Sequence, residues 1–238
     1  MNMRQLSELR SELKKYSSSE KADKNAWFFK TEKGQYGYGD KFIGVTMPEQ
    51  RIVAKKYPDL TLNDIEKLLT SPIHEERSVA LIILCKQFEK GDDKRRDEIF
   101  EFYVSHSKYI NNWDLVDGSA PRIIGEYLLD KKITLLIMYA KSGDLWEKRI
   151  AMISTFAFIF HGRTKETYLI ADLLLDEKHD LLQKAVGWML RETGKRVSKK
   201  DLEEYLRTRY KKMGRTALRY SIEHFPKEER DKYLKGRV

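Results

Sequence analysis

Hydrophobic residues recur along this chain at helical spacing, with polar residues filling the positions between them. After Thr61, the residues Leu62, Ile65, Leu68 and Leu69 form one apolar stripe, the spacing of an amphipathic helix. Ile99, Phe102 and Tyr103 form the same stripe in a helix opening at Asp92-Asp93. Read this way, the pattern predicts helices over residues 3–16, 19–31, 48–57, from 61, 74–89 and from 92. Further helices are predicted over 112–129, 132–141, 144–161, 165–176, 179–194, 199–212, 215–224 and 227–235. The connections are two to five residues long, which suits antiparallel helical hairpins. The main break, residues 34–40 (GQYGYGD), carries glycine too densely for regular structure. It has neither the P-loop nor the dinucleotide glycine spacing. Pro48 is well placed as the first residue of the helix that follows.

The helices also repeat. Arg77-Ser78-Val79-Ala80, Arg149-Ile150-Ala151-Met152, Lys184-Ala185-Val186-Gly187 and Arg215-Thr216-Ala217-Leu218 each start a helix with a base and small residues. With Trp113 as the equivalent start, the steps are 113−77 = 36, 149−113 = 36, 184−149 = 35 and 215−184 = 31. A two-helix unit of this length marks a HEAT-type repeat. The expected fold is all-α, an α-solenoid of HEAT-like helical hairpins in one domain over residues 1–238. Corresponding second helices of such a solenoid line its concave face.

Composition narrows the class. Of 238 residues, 41% are hydrophobic and 35% charged, the balance of a globular chain rather than a disordered one. The longest apolar run, residues 150–160, is too short to span a bilayer and is interrupted by Ser154 and Thr155. The N-terminus has no apolar signal region. Cys85, the only cysteine, excludes a disulfide framework and reads as a packed core thiol. A cytoplasmic, monomeric protein without membrane contact is expected. The net charge of +9, from 46 Lys+Arg against 37 Asp+Glu, favours a polyanionic partner.

Candidate chemistry centres on Trp113 and Asp117. Four residues apart, they share one face of a helix, an aromatic plane beside a carboxylate. Arg149 and Trp188 recur near the corresponding position of later helices. If the second helices line a groove, Arg51, Lys148, Arg149, Lys184, Arg191, Arg215 and Arg219 face it, and repeated bases suit successive phosphates of a duplex. The alternatives are solvated surface charges and tryptophans packed in the core. Metal chemistry finds no support: His74-Glu75-Glu76-Arg77-Ser78 begins like a zinc-protease helix but has Ser78 where the second His must stand. The five His lack ligand spacing, so neither metal nor cofactor is expected. Two aromatic planes and an acid in a positive groove suit a deoxyribose on which cationic charge develops.

The stretches NNWDLVDGSAPRIIGEYLL, LWEKRIAMI and LLQKAVGWMLRETGKR resemble the AlkD family of alkylpurine DNA glycosylases, which are HEAT-like repeat enzymes. FIGVTMPEQR resembles the segment opening that family's DNA-contacting N-terminal repeats. The likeness runs from about residue 25 to the C-terminus, and Trp-Asp-Leu-Val-Asp and Gln-Lys-Ala-Val-Gly-Trp are its most specific parts. The resemblance implies that the catalytic carboxylate falls on Asp117, the sugar-contacting tryptophans on Trp113 and Trp188, and the active-site arginine on Arg149. It further implies excision of cationic N3- and N7-alkylpurines from double-stranded DNA, in base excision repair. The 34–40 loop reads as an insertion relative to the family. The rival expectation is a non-catalytic HEAT scaffold that binds DNA or a protein partner.

Overall fold

The computed structural model describes residues 3–238, with only the backbone of Met3 and Arg4. Secondary structure among these residues is helical, apart from one isolated parallel bridge between Lys41 and Ile73. The chain divides into two compact units, Met1–Ser119 and Ala120–Val238. The all-α, HEAT-like expectation therefore holds.

The first unit contains α1 (Met3–Lys15), α2 (Ser19–Phe28), α3 (Met47–Lys55), α4 (Leu62–Leu69), α5 (His74–Lys90) and α6 (Asp93–Ser105), followed by the start of α7 (Trp113–Ala120). Local chemistry sets several starts. Thr46 and Glu49 form a capping box at α3, while Thr61 and Asp92 cap α4 and α6 through their side chains. Helix α2 stops at Phe28, short of the predicted residue 31, where Lys30 takes φ 57°. The expected stripe of α4 is confirmed, with Ile65, Leu68 and Leu69 fully buried. Cys85 is buried, as expected of a core thiol.

The starts of α3, α5 and α7 lie side by side. Buried Glu75, in the first turn of α5, accepts the backbone N–H groups of Ile43, Gly44 and Val45 just ahead of α3. Arg77, two residues on, donates to Asn111 just ahead of α7 at 2.9 Å. These bonds give the 36-residue register its physical form.

The second unit contains α8 (Thr134–Ala140), α9 (Leu145–Phe160), α10 (Lys165–Leu173), α11 (Asp180–Arg196), α12 (Lys199–Arg207), α13 (Arg215–Ser221) and α14 (Lys227–Leu234). A single helix was predicted over 112–129, but Pro121–Gly125 is π-helical. Proline supplies no N–H to the helical ladder, and π turns commonly mark such interruptions. Gly125 is needed there, because a Cβ would stand 2.3 Å from the Ser154 carbonyl of α9.

Helices α9, α11 and α13 pack in succession with their starts at one edge. Arg149 of α9 reaches the Leu181 carbonyl of α11, and Gly214, which precedes α13, lies against the side-chain amide of Gln183 of α11. Gly187 lets α13 approach α11, since a Cβ there would lie 2.5 Å from the Ala217 carbonyl. That contact explains the glycine beside Trp188.

Candidate functional site

Trp113 and Asp117 stand on the first two turns of α7, and both are half-buried. Trp113 is therefore not a core residue in the first unit, and its indole is held by aromatic neighbours. Its ring stacks on Phe29 at 5.2 Å and 16°, with Phe28 edge-on at 5.8 Å. Phe29 stacks on Phe42 at 5.1 Å, and Phe42 on His74 at 4.6 Å. A column of rings thus runs from Trp113 to a buried imidazole. Pairs of this kind contribute about 0.5–1.5 kcal/mol beyond area burial.

A polar network fixes the same turn. His74, 2% exposed, places Nδ1 3.0 Å from Asp40 and Nε2 2.7 Å from Asp114. Arg77 binds Asp40 as well, and Asn112 donates to Asp40 at 3.2 Å while its own carbonyl oxygen accepts the Trp113 N–H at 2.8 Å. Burial opposes charge on His74, but Asp114 and Asp40 outweigh it and raise its pKa to about 9. Burial likewise opposes charge on Asp40, yet His74 and Arg77 hold its carboxyl below the usual range. An imidazolium between two carboxylates is the consequence, in a dry setting where removing any partner leaves a buried charge. Asp40 is the last residue of the 34–40 loop, so the loop serves as a clamp on α5 and on the start of α7.

Sequence reasoning missed His74, Asp40, Asp114, Phe29 and Phe42. In the sequence His74 stands out only as the start of an incomplete zinc motif. The available signal was the run His74-Glu75-Glu76-Arg77 ahead of an apolar helix. All four residues are buried, which requires partners.

In the second unit, Arg149 is 5% exposed and donates to the Leu181 carbonyl. Trp188 is half-buried, tilted against Phe156 at 6.2 Å. Arg196 lies over the Phe156 ring at 5.3 Å. The candidate DNA contacts are of three kinds. Arg215 and Arg219 are exposed on α13, and Arg215 donates to the Leu234 carbonyl at 2.7 Å. Lys148 and Lys184 are half-buried and pair with Glu177 and Asp180. Arg191 is held by Glu192 and Glu223. Of these pairs Lys184–Asp180 is the most open to solvent, and a pair of that sort contributes about 0–1 kcal/mol. Arg51 is exposed on α3 of the first unit.

The fold is that of an all-helical, HEAT-like repeat protein. The chain belongs to the DNA alkylation repair enzyme family, which matches residues 9–225. A solved structure titled a predicted DNA alkylation repair enzyme from Enterococcus faecalis shares the fold, with a TM-score of 0.70 at 18% identity. That match covers 89% of this chain and 97% of the other. No curated protein matches.

Proposed function

We propose that this protein is a monofunctional DNA glycosylase that hydrolyses the N-glycosidic bond of cationic N3- and N7-alkylpurines in double-stranded DNA. The observation that carries the reading is Trp113 and Asp117 together on one half-buried face of α7, with the indole held by stacked rings and the Trp113 backbone N–H bonded to Asn112. A rigid aromatic plane one turn from a carboxylate suits a sugar on which positive charge develops.

The chemistry fits a single carboxylate. Glycosidases for neutral sugars need a second acid to protonate the leaving group. A purine alkylated at N3 or N7 is already cationic and departs neutral once the bond to C1′ breaks. Asp117 then stabilises the oxocarbenium character and orients or deprotonates the water that adds to C1′. Trp113 offers an electron-rich face to the cationic sugar, and the family resemblance assigns the same role to Trp188. In this reading Arg149 is the arginine assigned to a phosphate beside the lesion. Arg51, Lys148, Lys184, Arg191, Arg215 and Arg219 carry the duplex backbone. The proposal includes action as a monomer in the cytoplasm.

The test is base release from matched duplexes, each with one lesion, measured by chromatography at equal protein concentration. The expected result is release of 3-methyladenine and 7-methylguanine with little uracil or hypoxanthine. Comparable release of neutral bases would mean a second acid, and the one-carboxylate mechanism would fall. Duplex binding without any release would favour the scaffold reading.

A further inference from the structure

The first unit also holds a cavity that the proposed chemistry leaves unused. It has a volume of about 340 Å³ and is lined by residues including Lys21, Lys24, Phe29, Phe42, Gln50 and Asp114. Small-molecule sites span about 300–1,000 Å³, so one small ligand fits. The stacked rings of Phe29 and Phe42 supply an apolar wall.

Two wall residues carry acceptors that nothing in the protein satisfies. Gln50 is 5% exposed, and its Nε2 donates to the Val45 carbonyl at 2.8 Å. That bond settles which way the amide faces and leaves Oε1 buried without a partner. Asp114 gives Oδ2 to His74, and its buried Oδ1 has no partner either. Buried acceptors are almost always met, so these two call for N–H donors from a ligand.

Cations stand on the same cavity. Lys21 and Lys24 sit one turn apart on α2, Lys21 3.8 Å from Glu49 and Lys24 2.5 Å from Glu20. Both lysines are exposed, and such pairs yield readily to a stronger anion.

We infer that this cavity binds one nucleotide whose base carries an exocyclic amine. The base lies against Phe29 and Phe42, its N–H groups reach Gln50 Oε1 and Asp114 Oδ1, and its phosphate meets Lys21 and Lys24. The site uses neither Asp117 nor Trp113, so it stands whether or not the protein is a glycosylase. The same ligand chemistry can arrive as a free mononucleotide or as one nucleotide turned out of a strand.

Calorimetric titration of the full-length protein tests the assignment with adenosine monophosphate, inosine monophosphate, adenosine and inorganic phosphate. Adenosine monophosphate is expected to bind at least about tenfold tighter than inosine monophosphate, which lacks the amine. Gln50→Leu should erase most of that preference. Lys21→Ala with Lys24→Ala, both at exposed positions, should bring adenosine monophosphate down to the affinity of adenosine without touching the fold. Displacement by a short single-stranded oligodeoxyadenylate assigns the site to a strand nucleotide, and its failure to compete assigns it to the free one. Equal affinity for all four probes, or no adenosine monophosphate binding at about 1 mM, overturns the proposal. No lesion enters these titrations, so their outcome is separate from that of the base-release assay.

Discussion

His74 and Asp114 meet with Nε2 2.7 Å from Oδ2, joining the first turn of α5 to the first turn of α7, one residue beyond Trp113. The pair holds the turn from which Trp113 and Asp117 project. It also has a pH signature. The His74 pKa is raised from 6.5 to about 9, so the folded protein takes up a proton relative to the unfolded chain. Stability from this group is complete below pH 6.5 and is lost as pH rises through about 9. Denaturant midpoints measured across that window should fall, and His74→Gln should flatten the dependence while lowering the midpoint at neutral pH. A midpoint constant to pH 10 in the parent protein would leave the charged pair without support.

Asp117→Asn keeps the size of the side chain and removes its charge. Excision of 7-methylguanine should drop by about 10²-fold or more, on the scale of lost electrostatic stabilisation of a transition state. Duplex affinity should hold. Single-turnover kinetics beside a binding isotherm separates the two, and a variant with parent-like turnover would exclude Asp117 as the catalytic carboxylate.

Trp113 and Trp188 are half-buried, so their removal should cost less than the about 3–5 kcal/mol of a core Trp→Ala change. Activity should fall more steeply than stability in both variants. Gly187→Ala is the contrasting control. Its Cβ would press on the Ala217 carbonyl at 2.5 Å, and overpacking of that kind costs about 1–3 kcal/mol. Thermal melts recorded with the kinetics tell the cases apart: melting should move more for Gly187→Ala than for Trp188→Ala.

Duplex binding should weaken with salt, each phosphate contact adding about 0.9 to the log–log slope. Exposed Arg219 and half-buried Lys184 should each reduce that slope when changed to Ala. Arg149 is different: it is 5% exposed and bonded to the Leu181 carbonyl, so Arg149→Ala should also lower the melting temperature. A slope unchanged by all three substitutions would remove these bases from the interface.

The sequence by itself determined the helices, their hairpin order and the repeat near 36 residues, because stripes at i, i+3 and i+4 and caps such as Thr61 and Asp92 are local. It also placed Trp113 four residues from Asp117, a spacing that any helix turns into one face. What it left open depends on distance along the chain. Asp40 lies 34 residues from His74, and His74 lies 40 from Asp114, so only packing brings the three together. Packing likewise decided that Arg149 is buried rather than lining a surface, and that Phe29 rather than Phe28 takes the face of Trp113. Burial sets the protonation of His74 through neighbours that periodicity cannot reveal, since a histidine in isolation sits near pKa 6.5 and its charge is decided by the groups folded against it.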